Sequence, residues 1–342
     1  MKRKFFKIIL LLVVITGVII SGCSKGNGVQ KKEVNAGKNQ IQAINNEEFL
    51  KGVSLSPKSF QAADFTHFFD AVQKIGNAVT WSGDWNELAN TQNGGPKVVA
   101  ELAKSYKYTP IIIAQFFTQT NGQLIRPLDE ATKQKYKDSA AAFAKSYQPK
   151  YIGLGIEVNI LYEKSEKDFN DFALFYNEVY DAVKEVSPET KVFTVFQMEK
   201  MKGMNGGLFG GENNPAKGQW QLVNKFKLDL LVFTTYPNLI YKNPTEIPKD
   251  YYEEIKRYTD KPVAFTEIGW HSAASPAGWE SSESEQREFI ENFFELTKGL
   301  NKEMVIWSFM YDQKVIEPFN SMGLRDSKGI ARPAEEVWAK AK

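Results

Sequence analysis

From Phe49 onward, short apolar runs alternate with longer segments in which apolar residues recur every three or four positions. The short runs are Gly52–Leu55, Ala78–Trp81, Thr109–Gln115, Tyr151–Ile156, Lys191–Phe196, Leu228–Thr234, Val263–Glu267 and Met304–Phe309. Most are apolar throughout rather than alternating, the pattern of parallel strands covered on both faces. The segments between them predict helices over Asp64–Ile75, Pro96–Ser105, Asp129–Ser146, Asp168–Val186, Gly218–Phe226, Lys249–Arg257, Ser284–Leu300 and Ala331–Ala341. Phe169, Phe172, Phe175, Tyr176, Val179 and Val183 show the helical spacing well. A strand followed by a helix, repeated in this way, winds a parallel sheet. Eight repeats over roughly 250 residues or more predict an α/β chain whose folded part, residues 46–342, is a single (β/α)8 TIM barrel. A doubly wound sheet is the rival, but no Gly-x-Gly-x-x-Gly follows the first run.

The N-terminus has a different pattern. Lys2, Arg3, Lys4 and Lys7 precede an apolar stretch from Ile8 to Ile20, which ends at Ser21-Gly22-Cys23. The stretch is shorter than the roughly 20 residues a spanning helix needs, so residues 1–22 are read as a secretion signal. Ile20-Ser21-Gly22-Cys23 resembles a bacterial lipobox, which implies cleavage before Cys23 and diacylglycerol on its sulfur. An uncleaved anchor helix is the alternative. Residues 23–45 are rich in Lys, Asn, Gln and Gly and poor in large apolar side chains, so they are expected to be a flexible tether. The expected location is extracytoplasmic, at the cell surface.

Composition narrows the chemistry. Cys23 is the only cysteine, which leaves no disulfide, thiolate metal site or cysteine nucleophile in the barrel. Two histidines exclude a histidine metal cluster, so no metal or cofactor is expected. Losing residues 1–22 takes the formal charge from +2 to −2, too little positive charge for a nucleic-acid binder.

Barrel chemistry gathers at the C-terminal ends of the strands. There the chain has Gly155-Ile156-Glu157-Val158-Asn159, Thr235-Tyr236-Pro237, Thr266-Glu267-Ile268-Gly269-Trp270-His271 and Trp307-Ser308-Phe309. A carboxyl group at the end of an apolar strand is costly to ionise, so Glu157 and Glu267 stand out as functional candidates. A structural ion pair at the barrel mouth is the alternative. The fourth and seventh runs lie nearly opposite each other around an eight-stranded ring, which suits two acids flanking one bond.

Thr266-Glu267-Ile268-Gly269-Trp270, with Tyr236 and Trp307 at neighbouring strand ends, resembles clan A of the glycoside hydrolases. Gly153-Leu154-Gly155-Ile156-Glu157-Val158-Asn159 is similar to the β-1,4-galactanase and β-1,3-glucanase branches. The resemblance implies that Glu157 is the acid/base and Glu267 the nucleophile of a retaining glycosidase acting on β-linked poly- or oligosaccharide. That chemistry needs two carboxyl groups about 5–5.5 Å apart. Tyr236 is the expected donor to Glu267, and burial together with the charge of Glu267 is expected to raise the pKa of Glu157. Trp307 is expected to floor the sugar site, with Asn159, Trp81, Gln197 and His271 as further substrate contacts and Asp84, Trp85, Gln115 and Phe116 nearby. Trp307 and Tyr236 also fit as core aromatics, Trp81 as loop packing and His271 as a capping residue. The glycine-rich segment from Met198 to Gly211 is expected to wall the cleft. One departure from the clan is Ile156, where an Asn normally precedes the acid/base. It motivates a second reading, a catalytically inactive glycan-binding barrel. The expected partners are a carbohydrate and, through the lipid, the membrane, with the barrel acting as a monomer.

Overall fold

The computed structural model describes residues 49–342, so the signal segment, Cys23 and the tether lie outside the described residues. Nine parallel strands form one sheet: β1 Leu50–Ser54, β2 Ala78–Asp84, β3 Thr109–Gln115, β4 Tyr151–Leu154, β5 Lys191–Phe193, β6 Val195–Gln197, β7 Leu231–Thr235, β8 Val263–Ile268 and β9 Lys302–Trp307. Their order is β5-β4-β3-β2-β1-β9-β8-β7-β6. The two ends of that order, β5 and β6, are separated in sequence by Thr194 alone, so the sheet curls into a nearly closed barrel.

Helices cover the outside: α1 Ala62–Val72, α2 Gly95–Tyr106, α3 Glu130–Tyr147, α4 Val158–Lys164, α5 Glu166–Val186, α6 Met198–Met201, α7 Glu283–Leu296 and α8 Pro333–Lys340. The best-patterned segment, α5, starts where the Ser165 side chain accepts the Asp168 N–H, and it buries Phe169, Phe172, Tyr176, Val179 and Val183. A buried side chain of that size contributes about 1.5–3 kcal/mol. At the start of α7, Ser282 accepts the Glu285 N–H while donating its hydroxyl to the Glu285 carboxylate.

Two of the expected helices are absent. The segments read as helical over Gly218–Phe226 and Lys249–Arg257 contain only 3-10 turns, Trp220–Lys225 and Glu253–Arg257. Both windows are short and follow a helix breaker, Gly218 or Pro248. A helix this short is marginal by itself and forms only where packing supports it, as in α8. The run expected to be strand through Ile156 stops at Leu154, because Gly155 (φ 84°) and Glu157 (φ 55°) are left-handed.

Three features shape the barrel interior. Gly153 leaves room for the Phe193 ring, whose Cε2 lies 2.7 Å from where a β-carbon would stand. At the N-terminal end of the strands, Glu303 accepts from both Tyr151 and Lys191. In β8 the register with β7 slips between Phe265, opposite Phe233, and Glu267, opposite Thr234. A bulge of this kind re-aims side chains beside active sites.

Candidate active site

Glu157 caps the N-terminus of α4 in the left-handed conformation (φ 55°, ψ 43°). A non-glycine residue there costs about 1–2 kcal/mol. The neighbouring backbone is held by Gln115, whose side chain donates to the Ile156 carbonyl at 3.2 Å and accepts the Ile156 N–H at 3.3 Å. The Glu157 side chain is fully buried, with Oε1 accepting the Thr234 hydroxyl at 2.6 Å and Oε2 left without a partner. Burial pushes its pKa to about 8, reinforced by the charge of Glu267 and opposed by the Thr234 hydrogen bond.

Glu267 is also buried, and its Oε2 accepts the Tyr236 hydroxyl at 2.7 Å. Burial raises its pKa to about 7, with the Tyr236 hydrogen bond holding it down. Tyr236 stays a donor, because burial and then the Glu267 charge push its own pKa well up. The Ser308 hydroxyl lies 2.8 Å from both the Tyr236 hydroxyl and the Ile268 carbonyl. The charge of Glu267 thus acts on Glu157, and burial raises both acids, Glu157 to about 8 and Glu267 to about 7. Near neutrality that leaves one acid protonated and the other ionised, the division a proton-donating and nucleophilic pair requires.

A third buried acid, Glu199, was not picked out from the sequence. Its Oε1 accepts from the Thr235 hydroxyl (2.7 Å), the Tyr236 N–H (3.0 Å) and the Tyr251 hydroxyl (3.0 Å), and its Oε2 from the Gln197 amide (2.6 Å). With both oxygens satisfied it works as a bracket that fixes the backbone of Tyr236. Its position two residues past β6 was the available signal. Thr234, also missed, stands in the polar Thr234-Thr235-Tyr236 end of β7.

The other residues expected at the sugar are engaged elsewhere. Trp307 packs against Phe289 of α7 and Trp338 of α8 and donates its indole N–H to the Met322 carbonyl, so it faces the helical layer and does not floor the mouth. Trp81 also faces outward, with its indole filling the space above Gly83 and Gly95 at the start of α2. Trp85 stacks on Tyr136, and Phe116 on Phe172. Asn159 donates to the Gln197 carbonyl and the Gln219 side chain and accepts the Gln197 N–H, which commits its whole amide to fastening α4 to β6. The Gln197 amide is taken up by Glu199 and the Lys200 N–H. Both ring nitrogens of His271 are occupied, by Asn238 at 3.2 Å and the Trp279 carbonyl at 2.9 Å, and burial lowers its pKa. Asp84 forms a two-pronged ion pair with Arg126, each contact 2.7 Å.

A small apolar cluster sits over Tyr236. Its buried members are Tyr236, Leu239, Phe319 and Met322, with Phe319 edge-on to Tyr236 at 5.1 Å, and Leu208 and Phe209 of the glycine-rich segment pack on it.

A parallel barrel with two buried carboxyl groups of raised pKa at its strand ends defines the structural class. No protein-family model matches the sequence, and no curated protein matches it. Solved structures similar in fold include glycoside hydrolases of several families. A GH5_18 enzyme from Streptomyces cattleya, in complex with Manb1-4GlcNAc, is similar at TM-score 0.61 and 13% identity over 86% of this chain and 80% of that one. The GH53 catalytic domain of Ignisphaera aggregans gives 0.59 and 15% over 85% and 95%. A GH2 beta-galacturonidase from Eisenbergiella tayi gives 0.58 and 16%, covering 86% of this chain and 51% of that one. The chain thus spans about half the length of that larger relative.

Proposed function

We propose that the chain is a retaining glycoside hydrolase acting on β-linked poly- or oligosaccharide, with Glu157 as acid/base and Glu267 as nucleophile. In this reading β5 and β6 are one barrel strand interrupted at Thr194, which gives eight strands. The observation that carries the proposal is the pair of buried acids at the ends of β4 and β8 with pKa values of about 8 and about 7. Glu267, ionised first, attacks the anomeric carbon while protonated Glu157 gives its proton to the leaving oxygen. The covalent intermediate removes the Glu267 charge, the pKa of Glu157 falls, and Glu157 then takes the proton of the attacking water. The fold of the glycosidases above supports this reading, whereas Ile156, where the clan has Asn, motivates the inactive glycan-binding alternative. We also propose that the protein is held outside the cytoplasm by lipid on Cys23.

Incubation of the full chain with a panel of β-glycans and aryl β-glycosides, beside Glu157→Gln and Glu267→Gln, tests the catalytic assignment. Loss of product in both variants, with the β-anomer released first by the parent in proton NMR, is the expected result. Full activity in either variant removes that residue from the mechanism. Release of a Cys23→Ala variant from the membrane fraction tests the anchor.

A further inference from the structure

Beneath and beside the two acids the barrel interior is lined with hydroxyl groups that have no partner. Strand alternation identifies which side chains point inward. Lys51 reaches outward to the Ala339 and Ala341 carbonyls at the end of α8, so Ser54, three positions on, faces in. Trp81 packs outward on Gly95, which turns Thr80 and Ser82 inward. Phe265 packs outward on Phe293 of α7, which turns Thr266 inward beside Glu267 in the β8 bulge. The side-chain oxygens of Ser54, Thr80, Ser82 and Thr266, and Oε2 of Glu157, are all buried without a hydrogen-bond partner. Ser54 and Thr80 are register partners, and Ser54 lies one residue past Val53, whose partner Trp307 directly precedes Ser308. These hydroxyls therefore occupy β2, β1 and β8, which follow one another in the sheet with β9 between β1 and β8, on the side of the barrel that holds Glu267.

Charge around the acids is as informative as these hydroxyls. The partners of Glu157 and Glu267 are the hydroxyls of Thr234 and Tyr236, with no cation hydrogen-bonded to either among the described residues. Lys200, which acts on Glu157 from a distance, is ion-paired to Glu163 at 3.3 Å and bonded to Asn205. The Arg126 guanidinium is taken up by Asp84. A ligand carboxylate here would meet Glu267 and Glu157, and among the described residues neither acid has a cation hydrogen-bonded to it that could receive the ligand's charge.

We infer that the sugar held between the two acids is a neutral glycone, whose hydroxyl groups are read by Ser54, Thr80, Ser82 and Thr266, and that uronic acids are excluded. This rests on the glycosidase reading above and deepens it. It separates the chain from two of its fold neighbours, a beta-galacturonidase and a beta-glucuronidase. A ligand carboxylate within about 6–7 Å of ionised Glu267 is repelled enough to cost roughly 100-fold in affinity at an effective dielectric of 20. A single lost neutral hydrogen bond costs up to about 10-fold.

The test uses the full chain with para-nitrophenyl β-glucoside, galactoside and mannoside beside the glucuronide and galacturonide, and in parallel measures binding of isofagomine and uronic isofagomine by calorimetry. The inference expects kcat/KM for the best neutral glycoside to exceed either uronide by about 100-fold or more, with isofagomine bound in preference to its uronic form. Ser82→Ala and Thr80→Val should each raise KM for the neutral substrate several-fold while leaving the melting temperature unchanged or higher, because each removes an unpartnered buried hydroxyl. Uronides turned over as well as neutral glycosides overturn the inference and leave the glycosidase reading standing. Isofagomine, which lacks the carboxylate, bound in preference to its uronic form without turnover of any glycoside keeps the inference and sinks the catalytic reading. No turnover and no binding of either compound overturns both, and an unchanged KM in both variants overturns the role of the hydroxyls.

Discussion

Replacing Glu157 with Gln should make the protein more stable in alkali than the parent chain. In the folded state burial lifts the Glu157 pKa from its ordinary 4.5 to about 8. A group whose pKa is raised by folding binds more protons in the folded state than in the unfolded state between those two values, so stability falls as pH rises through that window. Each pH unit is worth about 1.36 kcal/mol, which makes the loss from pH 4.5 to 8 roughly 3–5 kcal/mol. Gln keeps the shape, the Thr234 hydrogen bond and the left-handed backbone at this position, and it carries no charge. The protonated acid and the amide both place a polar atom where Oε2 lacks a partner, so the two proteins should match within about 1 kcal/mol near pH 5. Urea unfolding of parent and variant at intervals from pH 5 to 9 reads the difference directly. The expected gap opens from about pH 5, widens by up to about 1.36 kcal/mol per pH unit, and levels off at several kcal/mol above about pH 8. A gap that is flat across this range would mean that Glu157 ionises freely in the folded protein, and its assignment as a proton-holding acid would fail with it.

Four further outcomes follow from the same geometry. The pH profile of kcat/KM should be a narrow bell, rising as Glu267 ionises near 7 and falling as Glu157 ionises near 8, and a profile flat from pH 5 to 10 contradicts it. Tyr236→Phe removes the donor that holds Glu267 down, so the acidic limb should move up by about 0.5–1 unit. Thr234→Val removes the corresponding donor from Glu157 and should move the basic limb upward, at a stability cost of about 1–3 kcal/mol for the acceptor left alone. Trp307→Phe should lower the urea midpoint by an amount worth about 1–3 kcal/mol, through the lost bond to Met322 and lost packing, with KM for any glycoside unchanged. A raised KM would return Trp307 to the sugar site.

The barrel and its acids were legible in the sequence for one reason, and the sugar contacts were misread for another. The parallel character of the sheet and the polar positions at strand ends are both one-dimensional signals. Glu157, Glu267 and Tyr236 carried theirs openly, as isolated polar groups after apolar runs. Facing is a different matter. A parallel barrel strand is buried on both sides, so Met304-Val305-Ile306-Trp307 shows no alternation to say which side chains enter the barrel. Trp307 was placed at the mouth on its position alone, whereas its neighbour Ser308 is the one that meets Tyr236. The segments Gly218–Phe226 and Lys249–Arg257 had helical spacing but form only 3-10 turns, because at this length packing rather than spacing decides, and packing is not written in the spacing.

Hydrogen-bond capacity is the other quantity that a sequence hides, and at this site it separates the residues that bind the barrel together from those left to bind something else. Asn159, Gln197 and His271 have the chemistry of sugar ligands, yet each spends its polar atoms on the protein. Glu199 has the chemistry of a catalytic acid, yet four donors close on its two oxygens. Glu157 is the contrasting case, because one of its oxygens is satisfied and the other is buried with nothing to bond. Leaving such a group alone costs about 1–3 kcal/mol, on top of the left-handed backbone that holds it there. Two costs borne by one residue, at the end of a strand and facing a second raised carboxyl group, are hard to account for as packing. On the proposed function the buried, unpaired oxygen gains its partner in a later step, when a glycosidic oxygen receives its proton.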